Sequence, residues 1–202
     1  MKGYVWYVGY GSNLSKQRFL CYIQGGKPSF GNNPHRGCRQ DKTLPTADKA
    51  ITIYYPLYFA LPDNGAGTGN WGPGGVAFIS PHEAKGTKTL GRMWKITEEQ
   101  YKDVRDQEGR RWYNKEIKLG DEDGFPVLTI TNAIDLNRIL CPSDMYLKTI
   151  AVGLQEAYRF DDKKIADYLI EKNGIKNNLQ RQDILQLLTT LPAGKTLQDQ
   201  AP

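Results

Sequence analysis

Only 2 histidines and 3 cysteines occur among the 202 residues of the chain, and each shortage removes a class of function. Cys21, Cys38 and Cys141 are odd in number and widely spaced, which argues against a disulfide framework and fits a reducing compartment. His35 and Cys38 provide two neighbouring metal ligands, but no CxxC or HxxxH completes a zinc set. Neither a metal nor an organic cofactor is expected. No stretch approaches the roughly 18 consecutive apolar residues that would cross a bilayer. The start, MKGYVWYVGYGSN, lacks the long apolar region and small-residue cleavage site of an export signal, so a cytoplasmic protein without a membrane partner is expected. Charge of one sign is not concentrated either. The 27 basic and 22 acidic residues leave a net charge of +5, scattered without a dense run, and a nucleic-acid partner is not expected.

What is present reads as one domain with a helical tail. Residues 4–8, YVWYV, form a short apolar β-prone run that enters the turn-rich cluster GYGSN. A helix follows, with Leu14, Arg18 and Cys21 at helical spacing and Ser12 or Asn13 as its cap. Residues 24–49 are polar and punctuated by Gly and Pro, a long loop. ITIYYPLYFALP gives one or two strands, with Pro56 marking an edge, bend or break. The glycine-rich passage DNGAGTGNWGPGG leads into the strand GVAFIS, then the strand LGRMWKI. Thr97 and Gln100 form a capping box for a helix that carries Tyr101, Val104 and Glu108 on one face and stops at Gly109. RWYNKEIKL and FPVLTIT make a hairpin around GDEDG. Pro142 and Ser143 open a helix with an apolar stripe at Leu147, Ile150, Ala151 and Leu154. Two more helices follow, one after Asp161 and Asp162 that ends at Asn173-Gly174, one carrying Ile184, Leu185 and Leu188. The last dozen residues are expected to be disordered. Short strands with interspersed helices predict an α+β domain with a mixed or barrel-like sheet.

Two features carry chemistry. Between a buried strand and a helix, Gly9-Tyr10-Gly11-Ser12-Asn13 lets backbone N–H groups converge on an anion; the same residues also read as an ordinary tight turn. The third glycine of G-x-G-x-x-G would fall at Leu14, and Asn13 breaks G-x-S-x-G, so neither motif is met. Glu108 shares its helical face with Tyr101 and Val104 and sits at the negative end of the helix dipole. Both circumstances raise a carboxyl pKa towards the range of a general base. Arg105, Arg110 and Arg111 stand near enough in sequence to lower it, and the bland alternative is a solvated last-turn glutamate. Trp71, Trp94 and Trp112 could stack on bases but fit core or groove packing better.

Four ordered blocks resemble the γ-glutamylcyclotransferase-like family: YVGYGSNL at 7–14, LYFALPDN with WGPGGVAFISP, LGRMWKITEEQYKDVRDQEG, and PSDMYLKTIAVGLQEAY. Together they span residues 4 to about 158. The resemblance implies a small mixed β-barrel with flanking helices over residues 1–158, and a helical C-terminal extension over 159–202. It also implies that Glu108 is the catalytic acid/base, that Tyr7, Val8, Gly9, Tyr10, Gly11 and Ser12 form the substrate-binding loop, and that Tyr146 lines the pocket. The implied reaction is an acyl transfer by intramolecular aminolysis, in which a γ-glutamyl amide of an amino acid or amine is cyclised to 5-oxoproline and the free amine. The 24–49 loop and the tail depart from the family's minimal core. The loop would reshape the side facing the leaving amine, and the tail would cover a face or mediate self-association, for example as a homodimer. Two rival readings are a non-catalytic γ-glutamyl or carboxylate-binding module of the same fold, and a nucleic-acid-binding surface.

Overall fold

The computed structural model describes residues 2–62 and 71–191. Most of the glycine-rich passage before Trp71, and the last dozen residues apart from Leu191, lie outside them. In chain order the elements are β1 (Tyr4–Gly9), a 3-10 turn (Ser12–Leu14), α1 (Lys16–Gln24), β2 (Ala47–Ile53), β3 (Leu57–Ala60), β4 (Val76–Ile79), β5 (Thr89–Thr97) and α2 (Glu98–Glu108). There follow β6 (Lys115–Glu122), β7 (Phe125–Thr131), α3 (Asp144–Tyr158), α4 (Asp162–Ile170) and α5 (Arg181–Thr189).

The main sheet runs in the order β2-β5-β1-β7-β6. Strand β1 is central, antiparallel to β5 from Tyr4↔Thr97 to Gly9↔Arg92 and parallel to β7 at Trp6↔Val127. The sheet is therefore mixed, as the α+β expectation requires. It does not close among the described residues. Strands β3 and β4 pair with each other instead, and single bridges such as Ala60↔Ile139 join them to segments outside the main sheet. In place of the expected barrel stand an open sheet and a separate two-stranded ribbon.

Alternation along β1 sends its side chains to opposite faces. Tyr7 packs with Phe19, Trp94, Tyr101 and Val104 beneath α1 and α2, whereas Trp6 and Val8 pack with Met93 and Val127 on the other face. A larger apolar cluster joins the ribbon to α3, α4 and α5 through Phe59, Phe78, Leu147, Ile150, Ile165 and Ile184. The C-terminal helices thus share a core with the β3–β4 ribbon.

Local chemistry explains most boundaries. The Thr97–Gln100 capping box starts α2, and Gly109, at φ 85°, ends it where a side chain would be strained. Ser143 caps α3 by accepting from the Tyr146 N–H. The β6–β7 hairpin turns on Asp123-Gly124, both at positive φ, the geometry that matches strand twist. Several boundaries differ from expectation. Strand β6 begins at Lys115 rather than Arg111 and runs on through Gly120–Glu122 of the expected turn. Ser12 and Asn13 belong to the 3-10 turn, and Ser15 caps α1 instead. The polar loop ends sooner because residues 47–49 already pair with β5. Helix α4 stops at Ile170, short of Asn173-Gly174.

Candidate active site

The turn from β1 into α1, the last turn of α2 and the first turn of α3 enclose a pocket of two compartments. The smaller, about 30 Å³, lies against Gly9–Asn13. The larger, about 160 Å³, opens beside it among Arg18, Tyr22, Trp71, Gln107 and Trp112. Ser12, Glu108, Tyr113 and Tyr146 line both. Glu108 therefore stands at the junction.

Its carboxylate is held from the β1 side. Asn13 donates its side-chain amide to Glu108 Oε1, and the Tyr7 hydroxyl donates to the same oxygen at 3.5 Å. Asn13 also donates to the Tyr7 hydroxyl at 3.1 Å, while its own Oδ1 is buried without a partner. Burial raises the Glu108 pKa above the ordinary glutamate value; the Arg18 charge and the hydrogen bonds from Asn13, Tyr22 and Tyr7 oppose this without cancelling it. The cation that matters comes from α1. Arg105 is turned away to Glu116 at 2.9 Å and Arg110 to Asp106 at 2.7 Å, so two of the three arginines close in sequence are engaged elsewhere.

Gly11 faces Tyr146 so closely that a Cβ there would lie 2.7 Å from the Tyr146 hydroxyl and 2.9 Å from the Ala77 Cβ. Only a residue without a side chain fits. The Tyr146 hydroxyl accepts from the Ala77 N–H at 3.1 Å and from the backbone N–H of Ser12, which leaves its proton directed to neither backbone group. Burial pushes the Tyr146 pKa up to about 12, so the hydroxyl remains a donor at neutral pH. The α1 N-terminus is not open to a ligand, because Glu156 accepts from the Lys16 N–H at 2.7 Å. An anion at this loop would meet the backbone of residues 9–12 instead.

Of the residues expected in the site, Tyr7, Gly9, Tyr10, Gly11, Ser12, Tyr146 and Glu108 line the pocket together. Val8 does not. Its side chain is buried on the opposite sheet face, and its carbonyl accepts from Thr129. Asn13, Arg18, Tyr22, Gln107 and Tyr113 were not among the expected site residues. A signal for Arg18 existed, namely a charged residue at apolar spacing between Leu14 and Tyr22. His35 borders the larger compartment, edge-on to Tyr22; burial first, then Arg18, lowers its pKa to about 4 and keeps it neutral.

Other candidates fall outside the pocket or into the scaffold. Cys38 is buried, its thiol directed at the carbonyls of Tyr22 and Gln100. All three cysteines are free thiols. Among the described residues no three His, Cys, Asp or Glu side chains group as a metal site, and no helix is long and apolar enough to cross a membrane. Trp94 is core, whereas Trp71 and Trp112 are pocket wall.

No family model matches the chain. Solved structures do. The chain superposes on a γ-glutamyl cyclotransferase with a TM-score of 0.55 at 18% identity, covering 91% of this chain and 98% of that one. An uncharacterized human protein, loc79017, gives a TM-score of 0.55 at 20% identity, covering 92% and 99%. The chain therefore has the γ-glutamyl cyclotransferase-like fold, in agreement with the resemblance of its four sequence blocks. Histone deacetylase 5 of Arabidopsis thaliana is 30% identical over 203 aligned residues, which take in 82% of this chain and 30% of that protein. The chain thus spans under a third of the length of this curated relative, whose name describes the whole of it.

Proposed function

We propose that the protein is a γ-glutamylcyclotransferase-type enzyme that converts a γ-glutamyl amide to 5-oxoproline and a free amine, with Glu108 as its acid/base. The observation that carries this reading is a partly desolvated carboxylate, oriented by Asn13 and Tyr7, at the meeting point of two compartments. Such a reaction needs a base between the glutamyl half and the leaving half of one substrate.

The α-ammonium of the glutamyl chain cannot attack until it loses a proton. Glu108 takes that proton, and burial makes its carboxylate a stronger base than an exposed one. The amine then bonds to the γ-carbonyl carbon and closes a five-membered ring. Because both groups belong to one molecule, holding the chain folded secures much of the proximity advantage. The backbone of residues 9–12 grips the α-carboxylate, and the Tyr146 hydroxyl donates to the carbonyl oxygen as charge develops on it. Collapse breaks the C–N bond while the proton on Glu108 passes to the departing nitrogen. The ring nitrogen, which still carries two protons after attack, gives one up to the freed Glu108 carboxylate and so to the released amine, which leaves as its ammonium. Nothing is oxidised or reduced.

In this reading residues 1–158 carry the reaction and 159–202 are an extension, through which a homodimer could form. A cytoplasmic setting suits three free thiols. The test is incubation of the full chain with a panel of γ-glutamyl amides, scored by release of 5-oxoproline. Release from at least one class is expected. Binding of the panel without release from any member would leave a non-catalytic module of the same fold.

A further inference from the structure

Among the described residues the guanidinium of Arg18 has no ion-pair partner. It is 3% exposed and lines the larger compartment. Nη2 donates to the Tyr22 hydroxyl at 2.8 Å, and the group lies 4.2 and 5.3 Å from the ring centres of Tyr22 and Trp71. Nε and Nη1 are buried with no hydrogen-bond partner. Among the described residues no carboxylate forms an ion pair with it; Glu108 acts on it through space and through the Tyr22 hydroxyl, which hydrogen-bonds both. Arginine is the residue best shaped to grip a carboxylate with two parallel N–H groups, and an unpaired buried cation is costly to keep. Here Nε and Nη1 stand idle on different edges of the guanidinium, and each can donate to a carboxylate oxygen.

The same wall carries an idle acceptor. Gln107 donates its amide nitrogen to the carbonyls of Tyr22 at 3.0 Å and Asp103 at 3.3 Å. Two carbonyl partners fix which end of the amide is nitrogen, and Oε1 is left buried without a donor. Among the described residues Arg18 is also the sole lysine or arginine lining the larger compartment, and His35 beside it is neutral. A neutral or cationic leaving amine would leave Arg18 unanswered. An amine that carries a carboxylate would answer it, and its amide N–H complements Gln107.

We infer that the larger compartment is the leaving-group subsite and that Arg18 selects γ-glutamyl conjugates whose leaving amine bears a carboxylate, over those of simple amines. This rests on the cyclotransferase reading above. The test uses the full chain and a matched pair, γ-glutamylalanine and γ-glutamylalaninamide, with kcat/KM measured by 5-oxoproline release. The carboxylate substrate is expected to be favoured by at least about 10-fold, the discrimination of one charge-assisted hydrogen bond. Arg18→Met should bring the ratio close to one, and Arg18→Lys should keep part of it. A wild-type ratio near one overturns the inference whether or not the variants fold. A ratio that survives Arg18→Met while both substrates decline together also overturns it, and moves Arg18 to the glutamyl α-carboxylate. Equal release from both compounds strikes this inference alone. No release from these or any other γ-glutamyl amide strikes the underlying activity as well.

Discussion

Arg18 and Arg92 are both buried, at 3% and 6% exposure, and they are treated oppositely. Arg92 pairs with Asp48 at 2.6 Å and Glu156 at 2.7 Å, donates to the Leu14 carbonyl at 3.2 Å, and lies 4.2 Å from the Trp94 ring. It ties β2, β5, α3 and the 3-10 turn together. Arg18 has a tyrosine hydroxyl, two aromatic faces and a cavity. Where a buried charge holds the fold, its partners come with the chain. Where it lines a cavity, its partner has to arrive. The same rule separates Asp103, which accepts from Arg39 at 2.6 and 2.8 Å, from Asn13 and Gln107, whose oxygens are unmet.

Substitutions can break this division or sharpen it. The largest effect is expected at Glu108. Glu108→Gln keeps the shape but removes the base, so 5-oxoproline release should fall at least ~10²-fold; unchanged turnover would remove Glu108 from its role. Next comes Arg92→Met, which strands two carboxylates that are only partly exposed. Its cost should be roughly 2–3 kcal/mol in denaturant unfolding, below the full penalty for a deeply buried pair. Gly11→Ala forces a methyl against Tyr146 and should cost about 1–3 kcal/mol by overpacking, with a raised KM as the pocket narrows. Arg18→Met should change stability by less than about 1 kcal/mol, because an unpaired buried charge is exchanged for an apolar chain. A loss as large as that of Arg92→Met would make the two arginines alike and end the contrast.

A smaller effect concerns pH. Burial raises the folded-state pKa of Glu108 above its unfolded value. Its contribution to stability is therefore fully present below the unfolded pKa and is lost as pH rises through the folded one. Glu108→Gln lacks that loss, so the variant should melt above the wild type at neutral pH, and the gap should close in acid. A gap that widens in acid would contradict the sign. The acid limb of kcat/KM should likewise fall at a pH above the ordinary glutamate range.

The sequence makes legible what neighbouring residues decide. The capping box at Thr97 and Gln100, the stop at Gly109, the Ser143 cap and the break at Pro56 depend on a few adjacent side chains, and each is found where it was expected. The helical repeat makes legible that Glu108 shares a face with Tyr101 and Val104, but leaves a solvated glutamate open; only the resemblance of the four sequence blocks points that face at a pocket. Groups brought in from distant segments are not legible. Arg105 and Arg110 were the natural partners of Glu108 by proximity along the chain, yet tertiary contacts give them to Glu116 and Asp106. Arg18 takes their place only because α1 packs against α2. Closure of the sheet likewise depends on which edges meet, and β3–β4 pairs apart from the main ladder.

The central claim is that Glu108 meets the α-amine of a glutamyl chain held by residues 9–12. The structure of Glu108→Gln bound to an uncleaved γ-glutamyl amino acid tests it most directly. The substrate nitrogen should lie within about 2.6–3.2 Å of the side-chain oxygen at position 108, with the α-carboxylate on the loop backbone. A substrate bound with its amine turned to solvent, away from that side chain, would contradict the account.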